Sequence, residues 1–257
     1  MTGVDYDALS MRIEAGQANA LSGYASVVDN ITQDPVYIQA VPARDGDALT
    51  IPVVGRAPGA NNTFWRSDVT FFNPTPTRMV LSVTYGSGAI PVVLEPLRTV
   101  VLDDVLGDFG LASGSGTLHV SWSTAAGPIV TSRTYTSVAG GGTYGQSIDP
   151  VTAFVSRMYV PGLRNDSDYR SNAGFVNGGA SAATFAVRAI SEEGVELGRT
   201  TVLVGANGVV QSSLAALFPN LAAHEGSITL EATGQDLFAY GSMVDNKSGD
   251  PVFFAGR

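Results

Sequence analysis

The chain repeats itself, and an internal repeat constrains a fold more tightly than any single motif, because each copy must form the same supersecondary unit. Phe64-Trp65-Arg66-Ser67-Asp68-Val69-Thr70-Phe71-Phe72-Asn73 returns as Asp168-Tyr169-Arg170-Ser171-Asn172-Ala173-Gly174-Phe175-Val176-Asn177. A second echo joins the two ends of the chain. Tyr24-Ala25-Ser26-Val27-Val28-Asp29-Asn30, then Asp34-Pro35-Val36-Tyr37-Ile38, reappears as Tyr240-Gly241-Ser242-Met243-Val244-Asp245-Asn246, then Asp250-Pro251-Val252-Phe253-Phe254. The expected organisation is a partial unit over residues 1–45, a full unit over 46–150 and a second over 151–257. Since residues 1–43 match only the last two strands of a unit, Met1 is expected to be an artificial start on an excised piece, with any leader upstream. The first seven residues lack the basic and apolar regions of a signal peptide.

The copies read as all-β. Short alternating runs separated by turn residues every 8–12 residues or so are the mark of a sandwich or barrel. In the first full unit the candidate strands are 49–54, 65–73, 78–85, 90–94, 99–103, 116–123 and 129–137, with a weaker one near Tyr144. In the second they are 157–160, 171–177, 183–190, 194–204, 208–212, 226–233, 237–244 and 251–254. The partial unit offers a two-strand hairpin, 21–28 and 36–41, turning through Asp29-Asn30 and Asp34-Pro35. Asp103 to Phe109 and Ser212 to Phe218 each begin with a capping residue and carry apolar residues at one-turn spacing, so each unit should hold one short helix plugging one end. Residues 5–18 are a further helix candidate.

Composition narrows the function classes. A hydrophobic content of 44% supports real cores, while 14% charged residues is low against about 25% in a typical domain. The net charge is −9, and the 14 basic residues never form a run. Nucleic-acid binding needs clustered cations, so none is expected. With no cysteine there are no thiolate metal sites or cysteine nucleophiles. No apolar run approaches the roughly 20 residues of a membrane-spanning helix, and no membrane insertion is expected.

Strand alternation puts Trp65, Ser67, Val69 and Phe71 on one face and Arg66, Asp68 and Thr70 on the other. The second copy puts Tyr169, Ser171, Ala173 and Phe175 against Arg170 and Asn172. Arg66, Asp68, Arg170 and Asn172 are thus a candidate polar ligand strip or interface, with Trp122 and Tyr144 as candidate aromatic contacts; the competing reading is that Arg and Asp pair across the sheet and pin register. We take the register reading, with Trp65 and Tyr169 in the core. The Asp29…Asp34 and Asp245…Asp250 loops hold oxygen ligands at close spacing, which makes Ca2+ conceivable. They lack the alternating ligands of a dedicated calcium loop, and a plain hairpin turn is the simpler reading. Asp103, Asp104 and Asp108 are read as helix-capping residues before metal ligands. His119 and His224 are the only histidines, and no Ser stands in a nucleophile elbow. Glu192-Glu193 lies in a turn, no spacing singles out a catalytic acid pair, and Ala139-Gly140-Gly141-Gly142-Thr143 lacks the Lys and helix of a phosphate loop. No cofactor is expected.

The segment Pro58 to Pro74, carrying Phe64-Trp65-Arg66-Ser67-Asp68-Val69-Thr70-Phe71-Phe72-Asn73, resembles a module of large secreted bacterial proteins that often sits in tandem or beside protease domains. Ser132-Arg133-Thr134-Tyr135 and Gly142-Thr143-Tyr144-Gly145-Gln146 resemble the close of that module. The likeness is strong over residues 50–150 and weaker over 155–257, where the Pro-Gly-Ala-Asn lead and Thr-Tyr-Gly-Gln close are missing. It implies tandem immunoglobulin-like antiparallel β-sandwiches at an extracellular or cell-surface location, and it carries no catalytic residues.

The expected function is therefore non-enzymatic: adhesion or assembly within a secreted or surface protein, partnered by copies of itself or by neighbouring modules. The partial unit sharpens this into possible polymerisation by strand complementation, since unpaired strand edges must be covered or paired. The alternative is a carbohydrate-binding accessory module of an extracellular hydrolase, which needs two or three of Trp65, Trp122, Tyr144 and Tyr169 exposed on one sheet to stack on surface polysaccharide. A hydrolase with an acidic pair ranks third.

Overall fold

The structure, a computed structural model, describes residues 10–14, 16, 21–42, 45–59, 62–219, 221 and 224–257. Their order is almost wholly β, as the repeat implies. The helix expected over 5–18 lies largely outside the described residues, and Ser10 to Glu14 carries no helix. A two-stranded hairpin of β1 (Tyr24–Val28) and β2 (Pro35–Gln39) comes first. The first module follows as β3 (Ala48–Pro58), β4 (Phe64–Phe72), β5 (Met79–Tyr85), β6 (Gly88–Leu94), β7 (Thr99–Leu102), α1 (Val105–Asp108), β8 (Gly114–Trp122), β9 (Ile129–Ser137) and β10 (Thr143–Ile148). The second is β11 (Val155–Leu163), β12 (Tyr169–Asn177), β13 (Ala183–Ser191), β14 (Glu196–Val204), β15 (Val209–Ser213), α2 (Leu214–Leu217), β16 (Ile228–Asp245) and β17 (Pro251–Ala255).

Both modules are antiparallel sandwiches whose two layers are joined by one strand that crosses between them. In the first, the ladder runs β10-β9-β4-β3-β8-β5-β6 with β7 also on β4, and β3 makes the crossing. In the second, the ladder runs β14-β13-β16-β12-β15, and β16 crosses. Its first half pairs with β11 and β13, and its second half with β12 and β17. The sequence reading of two strands at 226–233 and 237–244 is corrected here to one continuous strand. The bend that suggested a break is Gly234, where an added Cβ would stand 2.2 Å from the Phe185 ring. Only glycine lets the strand cross so near that ring.

Alternation delivers the cores. Ser67, Val69 and Phe71 of β4, Met79, Leu81 and Val83 of β5, and Phe185, Val187 and Ala189 of β13 are all buried. Val105 and Leu106 of α1 and Leu214 of α2 close one end of each core. Ser213 caps α2 by accepting from the Ala216 amide at 3.1 Å. Asp104 does not cap α1 as its type suggested: its backbone is left-handed, φ 53°, and its carboxylate turns instead to Arg56 at 2.9 Å.

One buried amide per module ties the layers together. Asn73 directly follows β4 and is fully buried; its Nδ2 donates to the carbonyls of Thr77, Leu94 and Glu95, and its Oδ1 accepts from the Thr75 amide. Asn177 repeats this with Ser181, Val204, Gly205 and the Gly179 amide. The repeat also keeps a buried serine. Ser67 accepts from the Gly55 amide at 2.9 Å, and Ser171 accepts from the Arg164 amide at 3.1 Å. Removing such an amide strands buried carbonyls, each worth about 1–3 kcal/mol. Asn73→Ala or Asn177→Ala is therefore expected to destabilise its own module by about 3 kcal/mol in urea unfolding. A midpoint within experimental error of the parent chain would show that these carbonyls do not need the side chain.

Candidate functional site

Three equivalent hairpins, β1–β2, β9–β10 and β16–β17, come together at one junction, and this is the most specific assembly of polar groups on the molecule. The first and last are built alike. Asp29 Oδ1 accepts from the amides of Ile31 and Thr32, and Asp245 Oδ1 accepts from those of Lys247 and Ser248. Each strand also closes the turn with a backbone bond, Asp29 to Asp34 and Asp245 to Asp250, both 3.0 Å. An Asp that bonds its own turn amides explains the plain hairpin geometry. Those amides hold the Asp29 and Asp245 carboxyls below the usual carboxylate range.

The remaining oxygens bind the first hairpin to the first module. Asp29 Oδ2 accepts from the Thr143 amide at 2.9 Å and from its hydroxyl at 3.0 Å. Asp34, only 3% exposed, accepts from the Gly145 amide at 2.8 Å and lies 3.5 Å from Arg133. Thr32 donates to the Thr143 carbonyl at 2.7 Å. On the other side, Ser242 donates to Gln146 of β10 at 3.0 Å. β10 thus lies between β2 and β17. The Asp250 carboxyl stands beside Asp34, and burial, then the Asp34 and Asp245 charges, push its pKa up to about 6.

The residues singled out from the sequence do not converge. Asp68 faces Arg133 across the β4–β9 ladder and accepts from the Asp104 amide at 2.8 Å, so it braces the start of α1; burial raises its pKa. Arg66 lies over the Phe64 ring, 5.7 Å from its centroid, with its Nε buried and unpartnered. Arg170 donates to Asn246 at 2.8 Å and so braces the β16–β17 turn, while Asn172 sits opposite Ser242 in the ladder. Tyr144 is partly buried on β10, next to the Gly145 amide that holds Asp34. Trp122 is 6% exposed and sits in the first core over Gly127. Trp65 and Tyr169 are corrected from core to partly buried: the Trp65 indole donates to Thr63, and Arg164 stacks 4.6 Å from the Tyr169 ring centroid.

Each histidine has a local partner. His119 Nδ1 lies 3.0 Å from the Thr50 hydroxyl, and burial lowers its pKa. It lines an open cleft of about 410 Å³ with Gly86, Thr117, Ala206 and Asn207 at the seam of the two modules. His224 pairs with Glu192 at 2.9 Å. The densest ion-pair cluster, Glu231 with Arg188, Arg157 and the Tyr159 hydroxyl, went unnoticed in the sequence because its members lie on three strands; Glu231 faces Tyr159 and Arg188 in register. Among the described residues, no group of three or more His, Asp or Glu side chains gathers where it could hold a metal ion.

The sequence reading also missed an exposed aromatic pair. Tyr24 and Tyr37 stack at 5.2 Å on the first hairpin, 68% and 54% exposed. Their counterparts Tyr240 and Phe253 stack at the same 5.2 Å inside the second module, where Tyr240 is 1% exposed. The echo between the chain ends was the signal. A scan against known protein families finds no family that matches this chain, and no curated protein matches its sequence.

The junction generates a pH prediction. A carboxyl whose folded pKa exceeds its unfolded value binds its proton more tightly when folded, so Asp250 contributes stability that is complete below about pH 4 and lost as pH rises through about 6. With Asp34, Asp245 and Arg133 around it, raising the pH from about 5 to about 7.5 is expected to lower the melting temperature, and Asp250→Asn to flatten that dependence. An Asp250→Asn profile parallel to that of the parent chain would overturn the assignment.

Proposed function

We propose that this chain is a non-enzymatic structural segment of a modular protein on the outside of a bacterial cell, in which sandwich units are joined side by side at fixed angles. The joint carries the reading. Thr50 and Val151 exchange backbone hydrogen bonds at 2.9 and 2.7 Å, and Thr117 donates to the Asn207 carbonyl at 2.6 Å. Val53 and Phe253 each pack against both cores. A flexible linker would expose and separate these groups; here the linker is itself hydrogen-bonded and the seam shares apolar side chains. Of the polar strips proposed from sequence, Asp68 braces the start of α1 and Arg170 braces the β16–β17 turn. A polysaccharide platform is supported less well, because Trp122 is in the core and Trp65, Tyr144 and Tyr169 are partly covered.

Spin labels placed on exposed Val80 of the first module and Leu203 of the second test the joint. Electron–electron distance measurement is expected to give one narrow distribution, as for labels within one domain. A broad distribution would mean independent modules and would remove the basis for the reading. Depletion of the chain by an insoluble polysaccharide, lost in Tyr144→Ala, would favour the carbohydrate-binding alternative.

A further inference from the structure

The first hairpin displays to solvent what its counterpart buries. Tyr240, Ser242 and Val244 are buried at 1%, 5% and 6% exposure beneath their own sandwich. Tyr24, Ser26 and Val28, the matching residues of β1, are exposed, as is every residue of that strand. Among the described residues, β1 pairs only with β2. Its inner edge is fixed by the Asp29 amide, which donates to Asp34; by alternation the amides of Tyr24, Ser26 and Val28 point to the open side. On β16 the corresponding side is taken by β12, in the register Tyr240↔Gly174, Ser242↔Asn172 and Val244↔Arg170, and it extends to the Asn246 amide, which donates to Asp168.

We propose that the open edge and aromatic face of β1–β2 form the docking site for the body of a third sandwich module of the second module's type, meaning strands equivalent to β11–β15 and the first half of β16, without a terminal hairpin of their own. This rests on the array reading above. Two features fix the occupant. An edge strand with a buried-type face is a template for an antiparallel partner, and here the partner's form is already present in the chain. Tyr240 lies across Gly174, where an added Cβ would come 2.0 Å from its ring, and its hydroxyl donates to Gln211 on β15 at 2.8 Å. A strand able to cover Tyr24 therefore needs glycine opposite it. β4 has Thr70 at that repeat position, so a strand of the first module's type does not fit. The site also continues an existing interface. β2 lies on one side of β10 and β17 on the other, so a body seated on β1 extends the row by one unit.

The test is a fusion in which a second copy of residues 151–239 directly precedes Tyr24 of the full chain, followed by amide hydrogen exchange. The outward amides of Tyr24, Ser26 and Val28 are expected to slow by about 100-fold or more, together with ordered exchange in the added body. Gly174→Val in the added copy alone is expected to abolish both effects while the rest of the chain keeps its protection. An added body that stays unprotected, or one that is protected while the β1 amides exchange as in the parent chain, would overturn the proposal. So would concentration-dependent protection of these amides in the unaltered chain, which would assign the edge to a second copy. None of these outcomes alters the spin-label distances, so the array reading stands or falls separately.

Discussion

A single buried amide side chain at the end of each module's second strand holds its two layers in register. Asn73 and Asn177 each donate to carbonyls at the end of the sixth or fourteenth strand and in the neighbouring turn. A buried carbonyl left alone costs more than the bond that satisfies it gains, so the position tolerates few alternatives. With that corner closed, the strand carrying it is fixed in the middle of its layer, and the terminal hairpin of the module pairs along its far edge. The rest of the architecture follows from that pairing.

The terminal hairpin serves two neighbours at once. Its first strand pairs within its own sandwich, and its turn or second strand meets a neighbouring unit. In the first hairpin the second of these roles is filled, through Asp29, Thr32 and Asp34 against Thr143, Gly145 and Arg133, while among the described residues β1 pairs with no strand other than β2. The same turn chemistry at Asp245 and Asp250 explains why the two ends of the chain read so alike. Asp both tightens the turn and presents a second oxygen outward. Burial, and then the nearby Asp34 charge, raise the pKa of the Asp250 carboxyl at the place where the hairpins meet.

Much of the fold was legible in residues. Alternation found the strand Ile129–Ser137 and placed Val69, Phe71 and Phe175 in the cores. It misplaced Trp65 and Tyr169, because a face shared with core residues says nothing about how near the strand's end lies to solvent. It split β16 at Gly234, since a glycine needed for close approach to Phe185 looks the same in sequence as a turn glycine. The Glu231 cluster was invisible because ladder register, not spacing, brings Arg157 and Arg188 to it. The exposed pair Tyr24 and Tyr37 aligns in the repeat with Tyr240 and Phe253, but which copy is covered depends on the strands packed against it and is not visible in the residues.

The central claim is that one hairpin design is buried in the second module and displayed at the front of the chain. Photochemically induced nuclear polarisation, which reports dye-accessible tyrosine rings in solution, tests it directly on the unaltered protein. The account expects strong signals from Tyr24 and Tyr37 and none from Tyr240. Silent Tyr24 and Tyr37 rings in the monomer would show that the front hairpin is already covered by its own chain, and the claim would fall.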